Sequence, residues 1–207
     1  MDKLIAELER LKLRERTLIV FFGDNGTAGG RAARATIGGR ALSGAKGSML
    51  EGGGLVPLIF NWPGVTPAGK TSRDMVDSSD FFPTFAALAG AKLPEKTLVD
   101  GRSLAPQFRG EKGQPRAWAF SQLARMWYVR EAGWKLNEKG ELFDMSEAPF
   151  AEKPVPTDSK EPAAIAARKR LQGVLKELNP AGGIVDTGDP SGRHAKNVVG
   201  KKSRKED

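Results

Sequence analysis

The feature that most constrains the fold is an apolar segment, residues 17–22 (TLIVFF), which ends abruptly in Gly23, Asp24, Asn25 and Gly26. β-Branched and aromatic residues followed by a turn signal are typical of a strand buried on both faces of a sheet. In open α/β sheets, ligands bind just beyond the carboxyl ends of such strands. Carboxylate and amide oxygens suit a hard cation, so Asp24 and Asn25 are candidate ligands for Ca²⁺ or Mg²⁺. Because Asn-Gly is also a strong hairpin-turn signal, this segment alone does not separate a metal site from a simple turn.

Hydrophobic periodicity along the chain predicts an α/β fold in which helices accompany a partial sheet. Leucines recur at helical spacing in residues 2–14, and residues 56–61 form a second apolar segment that is typical of a buried strand. Asp80 precedes an apolar segment that ends at Gly90. We therefore expect a helix over 80–88, with Asp80 as its amino-terminal cap.

The character of the sequence changes after residue 112, where short strand-like segments alternate with turns. Four strands are expected, at residues 117–122, 126–130, 134–137 and 141–143. A final amphipathic helix over 163–178, with Ile165 and Leu171 inward, is expected to pack on this small antiparallel sheet. We predict three regions: the carboxyl-terminal part of an α/β catalytic domain over 1–112, a sheet-and-helix subdomain over 113–180 and a basic disordered tail over 181–207.

Composition excludes several classes of site and partner. The 207 residues contain no cysteine, which removes disulfides, thiolate metal sites and cysteine nucleophiles. The formal charge is +8, but half of that excess lies in residues 192–207, where six Lys or Arg accompany two acidic residues. No basic stripe follows a predicted helix, so a nucleic-acid partner is not expected. Neither a membrane-spanning segment nor a signal-peptide pattern is found, so cytoplasmic localisation is the default expectation.

A further candidate binding residue is Lys46, which lies in a glycine-rich segment over 43–54. Glycines let the backbone approach a ligand closely, and the ammonium group supplies a compact positive charge for an anion. The glycine spacing of a P-loop is absent. Because a lone lysine in such a loop is commonly solvated, the motifs around Lys46 must decide its role.

Seven short motifs follow one another along the chain. They are Gly-Asp-Asn-Gly at 23–26, Lys-Gly-Ser at 46–48 with Glu-Gly-Gly at 51–53, Val-Pro-Leu-Ile at 56–59, Asp-Phe-Phe-Pro-Thr at 80–84, Asp-Gly-Arg-Ser-Leu at 100–104, Trp-Lys-Leu at 134–136 and Glu-Leu-Phe-Asp-Met at 141–145. In this order they resemble an arylsulfatase-type sulfatase of the alkaline-phosphatase superfamily, specifically its carboxyl-terminal part. Leu55 departs from that pattern, because the family usually carries an arginine there.

The resemblance implies a role for each candidate residue. In sulfatases the aspartate and asparagine after the strand bind a divalent cation, usually calcium, so Asp24 and Asn25 are the expected metal ligands. Lys46 is the expected contact to the sulfate group of an ester substrate. A cation and a lysine around a sulfate ester stabilise the charge that develops on its leaving oxygen. The implied activity is therefore sulfuric ester hydrolysis.

The resemblance also identifies family features that these residues lack. The family's nucleophile is a formylglycine made from Cys or Ser in a Cys/Ser-x-Pro/Ala-x-Arg motif, and the nearest match, residues 121–125, lacks the small third residue. No aspartate pair precedes the first helix, and the single histidine, His194, lies in the predicted tail, where we expect it to be solvated. We therefore expect no catalytic residue here, a truncated chain that is inactive alone, and the missing amino-terminal half as a partner.

Two other functions stay open at this point. The first is a phosphatase or phosphodiesterase of the same superfamily, because an anion-binding lysine does not by itself distinguish a phosphate ester from a sulfate ester. The second is a non-catalytic anion- or nucleic-acid-binding protein that uses the basic tail. Such binding would weaken steeply with salt.

Overall fold

The computed structural model describes residues 1–32 and 34–180. Its helices are, in chain order, α1 (Asp2–Arg10), α2 (Gly29–Ala32), α3 (Glu51–Gly54), α4 (Phe81–Leu88), α5 (Ala105–Phe108) and α6 (Pro162–Leu178). Its strands are β1 (Ile19–Phe22), β2 (Thr36–Ile37), β3 (Arg40–Ala41), β4 (Leu58–Asn61), β5 (Ala119–Leu123), β6 (Met126–Arg130), β7 (Trp134–Asn137), β8 (Leu142–Asp144) and β9 (Lys153–Val155). This mixture of helices and small sheets confirms the predicted α/β class. The predicted tail over 181–207, with His194, lies outside the described residues.

Backbone contacts group the chain into two compact units. The first unit comprises Met1–Asp24 and Val56–Ala119, and the second comprises Asn25–Leu55 with the residues from Phe120 onward. The division into regions at residues 112 and 180 stays a prediction.

The first unit contains a two-stranded antiparallel ribbon in which β1 pairs with β4. Phe22 and Phe60 lie on one face of this ribbon and pack on helices α4 and α5. The Phe22 ring meets Phe81 edge-on with centroids 4.9 Å apart, and the Phe60 ring lies 3.6 Å from that of Phe108. These aromatic contacts hold the ribbon against the two helices. The buried apolar residues in the described part of this unit include Leu104, Ala105 and Phe108.

The predicted burial of both strands on both faces is wrong. Phe21 and Ile59 are paired directly across the ladder, and they are 47% and 57% exposed. An apolar segment shows which side chains can be buried, whereas actual burial requires an element packed on each face. In the described part of this unit, α4 and α5 pack on the face of Phe22 and leave Phe21 and Ile59 open. The first helix also ends earlier than predicted, at Arg10.

Asp80 does not cap the helix that follows it, contrary to prediction. Its carboxylate accepts hydrogen bonds from the backbone N–H groups of Asp77 and Arg102, both at 2.8 Å, and from the Arg116 guanidinium at 2.5 and 3.1 Å. Asp80 is only 1% exposed. Burial raises the pKa of the Asp80 carboxyl, but the hydrogen bonds from Arg116 and the backbone outweigh it, so the net pKa lies below its ordinary value.

The second unit is built on a five-stranded sheet with the order β5-β6-β7-β8-β9, antiparallel from β6 to β9. This confirms the predicted small sheet and adds β9, a strand that is not among the four expected. Pro154 in β9 cannot donate a ladder hydrogen bond. A strand at the end of the sheet tolerates that loss, because one of its two sides has no partner strand.

Strand alternation gives this sheet two chemically different faces. Val129 and Leu136, which are paired across β6 and β7, are at most 1% exposed and lie on the apolar face. Tyr128, Arg130 and Lys135 are offset from them by one residue and therefore lie on the opposite face. The second face consequently carries charged groups of a kind that require partners when buried.

Helix α6 packs against β6 and β7 and confirms the predicted carboxyl-terminal helix. Its buried residues are Ala164, Ala167 and Leu171, whereas Ile165, predicted to point inward, is 52% exposed. Alanines let a helix lie close to a sheet, so the small-residue stripe, rather than the bulkier Ile165, faces the core. Within the described residues, no helix has the length and apolar character needed to cross a membrane.

Candidate functional site

Asp24 and Asn25 follow β1 at the point where the strand ends. Gly23 donates its backbone N–H to the Pro57 carbonyl at 3.1 Å, which extends the β1–β4 ladder up to the loop. Asp24 is exposed and ends the first segment of the first unit, and the partly buried Asn25 begins the second unit. The structure therefore places the two predicted donors consecutively at the carboxyl end of a strand.

The loop after Asn25 and the loop of Lys46 are joined through their backbones. The Lys46 N–H donates to the Thr27 carbonyl at 2.8 Å, and the Gly26 N–H donates to the Gly53 carbonyl at 3.0 Å. The side chain of Lys46 is exposed. Its backbone is held by its own hydrogen bond to Thr27 and by the one from the Ser48 N–H to the Ala45 carbonyl. The second unit thus brings the segment after Asn25 and the backbone of the Lys46 loop together.

Two glycines make this close backbone packing sterically feasible. A Cβ atom on Gly26 would overlap the carbonyl oxygen of Gly52, and one on Gly53 would overlap the carbonyl oxygen of Ser48. Only a residue without a Cβ lets one backbone approach another so closely. The glycines of the two motifs therefore serve loop packing in this structure.

Gly26→Ala is expected to destabilise the chain by about 1 to 3 kcal/mol, because the added methyl must push the loops apart. Urea denaturation gives the loss of stability, and the amide chemical shifts of Lys46 and Gly53 report the displacement. Gly30→Ala is the matched control, since nothing lies within 4 Å of its added Cβ. Equal stability of the Gly26→Ala and Gly30→Ala proteins would show that the two loops do not touch.

A buried ion pair anchors the Lys46 loop to the charged face of the sheet. The Lys135 ammonium donates to Glu152 Oε2 at 2.5 Å and to the Met49 carbonyl at 2.7 Å. The other oxygen of Glu152 accepts the backbone N–H of Glu51 at 3.1 Å, and both charged side chains are 3% exposed. Lys135 and Glu152 thereby hold the backbone on either side of Leu50, a few residues after Lys46.

A second pair strengthens this anchor. The Arg130 guanidinium binds both carboxylate oxygens of Glu51, at 2.9 and 3.2 Å. Tyr128 lies between the two pairs, with its ring centroid 4.6 Å from the Lys135 ammonium. Burial, assisted by the negative charge of Glu51, raises the pKa of the Tyr128 phenol. The Lys46 loop is therefore preorganised by four charged residues and an aromatic ring.

Sequence reasoning missed most of this supporting cluster. Glu51 and Lys135 lie in recognised motifs without an assigned role. Arg130 lies in a strand with no motif, and Glu152 lies just before β9. The detectable signal was the alternation in β6 and β7, which puts Arg130 and Lys135 on the face opposite the apolar core. The identity of their partners has no local signature.

The described residues contain an incomplete set of ligands for a metal ion. Asp24 and Asn25 offer hard oxygens that suit Ca²⁺ in kind, yet Ca²⁺ takes about six to eight such ligands. Within residues 1–32 and 34–180, no group of three His, Cys, Asp or Glu side chains could hold a metal. Ser121, the nearest match to the nucleophile position, lies in β5 and hydrogen-bonds Tyr128.

Comparison with known proteins identifies sulfatases. Residues 1–91 match the family model described as Sulfatase. Steryl-sulfatase from Mus musculus is 33% identical over 146 residues, which cover 65% of this chain and 23% of the relative. Arylsulfatase A from Homo sapiens is 40% identical over 117 residues, which cover 56% of this chain and 22% of the relative. The chain thus spans less than a quarter of the length of these relatives.

Solved structures agree with these relatives. Ps i-CgsB, determined in complex with k-i-k-neocarrahexaose, has a TM-score of 0.66 and 29% sequence identity, covering 86% of this chain and 39% of that one. BT1596, a 2-O GAG sulfatase, has a TM-score of 0.67 and covers 93% of this chain and 43% of that one. Its sequence identity of 24% establishes a shared fold. The resemblance predicted from the motifs is confirmed.

Proposed function

The chain belongs to the sulfatase family, and we propose that it supplies the metal- and sulfate-binding part of a sulfuric ester hydrolase. The observation that carries this proposal is the pair of backbone hydrogen bonds that joins the segment after Asn25 to the Lys46 loop, at 2.8 and 3.0 Å. These bonds keep an oxygen donor for a hard cation and a side-chain ammonium group in one rigid cluster of loops.

In this proposal Lys46 binds an oxygen of the sulfate group through a charge-assisted hydrogen bond. Its side chain is exposed and its backbone is fixed, so the ammonium is available to an anion without reordering of the loop. As the ester bond breaks, negative charge grows on the leaving oxygen and on the sulfate. A positive group held in place beforehand stabilises that charge more than it stabilises the ground state.

Asp24 and Asn25 hold the divalent cation on which sulfatases depend, and calcium is the ion that the family resemblance indicates. Their hard oxygens fit such an ion in kind and supply two of its ligands. When bound, the cation acts as a Lewis acid on the ester oxygens. The hydrogen bond from Gly23 to Pro57 holds the backbone before Asp24, and the one from Gly26 to Gly53 holds the backbone after Asn25.

The nucleophile belongs, in this proposal, to polypeptide outside these 207 residues, because the formylglycine motif is absent from them. The present chain supplies the sulfate-binding loop, and its partner, the amino-terminal half of a sulfatase, completes the active site. Alone, the present chain binds the anion and does not turn over the ester.

The test is a two-dimensional NMR titration of the ¹⁵N-labelled chain with sodium sulfate, followed by CaCl₂. Sulfate is expected to shift the amide signals around Lys46, and Lys46→Ala to weaken that binding about tenfold through loss of a charge-assisted hydrogen bond. Calcium is expected to shift the signals of Asp24 and Asn25, and Asp24→Asn to abolish those shifts. Shifts confined to other residues would overturn the proposal.

A paired activity assay tests the chemistry. A chain joined to the nucleophile region is expected to hydrolyse an aryl sulfate well and the matching aryl phosphate poorly. Lys46→Met, which keeps the length of the side chain, should lower kcat/KM for the sulfate ester. A preference for the phosphate ester would assign the chain to phosphatase chemistry instead.

A further inference from the structure

The first unit contains an open cavity of about 780 Å³ that is lined by three cationic side chains. Arg102, Arg109 and Lys112 are exposed around it, together with the hydroxyl of Ser103 and the amide of Gln114. No carboxylate is among the residues that line it. Asp24, Asn25 and Lys46 are not among them either, so this cavity is distinct from the site described above.

The backbone beneath these cations is firmly held. Asp80 accepts the backbone N–H of Arg102 at 2.8 Å, and the Thr84 hydroxyl accepts that of Leu104 at 2.8 Å. Thr84 and Asp80 are at most 1% exposed. The hydrogen bond to Thr84 is buried, and the one to Asp80 is partly buried. Helix α5 follows directly, and the Arg109 N–H is bonded to the Pro106 carbonyl at 3.0 Å. The backbones of Arg102 and Arg109 are therefore held in place by hydrogen bonds.

The three cations have no carboxylate partner within the described residues. In the part of the chain that the structure describes, none of their side chains takes part in an ion pair or a hydrogen bond. The guanidinium of Arg116, in the same unit, in contrast donates hydrogen bonds to Asp80, Ser79 and the Trp118 carbonyl. Three unpaired cations around one concavity create a positive potential that favours an anion with several charges.

We propose that this cavity binds an oligosaccharide that carries two or more sulfate groups. Guanidinium forks match the geometry of sulfate oxygens, and Ser103 and Gln114 supply partners for sugar hydroxyls. The lining contains no aromatic side chain on which a base could stack, which disfavours a single-stranded nucleic acid. The choice of a sulfated sugar among polyanions rests on the proposed function, whereas the anion site itself does not.

The test compares two triple variants of the full chain by isothermal titration with a heparin-derived hexasaccharide. Arg102→Ser/Arg109→Ser/Lys112→Ser is expected to weaken binding about tenfold or more and to flatten its salt dependence. Arg73→Ser/Lys92→Ser/Lys96→Ser is the matched control, because it removes the same charge from exposed residues of the same unit that do not line the cavity. The control should change binding less than about twofold.

Further titrations distinguish a sulfated sugar from other ligands of the cavity. The desulfated hexasaccharide and a single-stranded hexanucleotide are expected to bind at least about tenfold more weakly than the sulfated sugar. The Arg102→Ser/Arg109→Ser/Lys112→Ser protein should keep the sulfate-induced amide shifts around Lys46, so failure of the proposed function and failure of this cavity give different results. Equal losses in both triple variants, or tighter binding of the oligonucleotide, would overturn the proposal. Matching thermal melts of both variants establish that each is folded.

Discussion

Lys135→Met is expected to lower the free energy of unfolding by about 3 to 5 kcal/mol, because it leaves a buried carboxylate without its counter-charge. Lys135 and Glu152 are each 3% exposed and lie 2.5 Å apart. Methionine preserves most of the side-chain length, so the loss reports the missing charge rather than a cavity. Urea denaturation at pH 7, followed by tryptophan fluorescence, measures it.

The control for this variant is Lys153→Met. Lys153 also pairs with a glutamate, Glu147, but at 3.7 Å and with side chains that are 53% and 43% exposed. Exposed ion pairs are weak because water and salt screen them, so this change should be small beside that of Lys135→Met. Adding Glu152→Gln to Lys135→Met should recover part of the loss by removing the stranded charge. A Lys135→Met protein as stable as the parent would contradict a buried ion pair.

The same variant also tests whether the pair supports the sulfate-binding loop. Lys135 holds the Met49 carbonyl, and Glu152 holds the Glu51 N–H. In the Lys135→Met protein we expect faster amide hydrogen exchange at Gly52 and Lys46, together with weaker sulfate binding. The exchange rate of the Leu136 amide, in the sheet core, should change only as far as the global stability changes. Unchanged exchange at Gly52 would separate this pair from the positioning of Lys46.

Asp80→Asn is expected to cost about 3 to 5 kcal/mol at pH 7, because it strands the Arg116 guanidinium, whose side chain is 8% exposed. The variant also weakens the hydrogen bonds that tie the 100–104 segment to the turn before α4. Thermal and urea denaturation measure the loss. Asp100→Asn, at an exposed position of the same unit, is the control and should change stability by less than about 0.5 kcal/mol.

The stability difference between the parent and the Asp80→Asn protein should depend on pH, because the pKa of Asp80 is lowered in the folded chain. A carboxyl whose pKa is lower in the folded state contributes stability that is fully present above its unfolded pKa, about 3.9. That contribution disappears as the pH falls through the folded value. The stability gap between parent and Asp80→Asn should therefore narrow below about pH 4. A gap that stays constant from pH 7 to pH 3 would show that Asp80 is not ionised in the folded chain.

Local patterns predicted several strands and the last helix of the second unit well. The bounds of β6 and β7 agree with the expected strands at 126–130 and 134–137, because alternation and flanking turns both act over a few residues. Gly90 ends α4 with a φ of 68°, as expected for a residue without a Cβ after a helix. The β9 strand was missed because proline in a short segment carries the same signal in a connector and in an edge strand.

Local patterns failed wherever burial depended on a distant element. Phe21 and Ile59 carry the composition of a buried sheet, yet in this chain they remain exposed. Asp80 has the position of a helix cap, but its carboxylate forms an ion pair with Arg116, 36 residues later. The residues around Asp80 do not indicate which distant cation will pair with its carboxylate in the folded chain.

The amino-acid sequence by itself indicated the resemblance to sulfatases, predicted the strand that precedes Asp24 and Asn25, and made Lys46 the candidate anion contact. These depend on short motifs and on residues close together in the chain. The tertiary structure alone decided how the Lys46 loop is held, because Glu51 meets Arg130 across 79 positions and Lys135 meets Met49 across 86. Such pairs form only when the sheet folds and presents its charged face, so their energy cannot be assigned before the chain is folded.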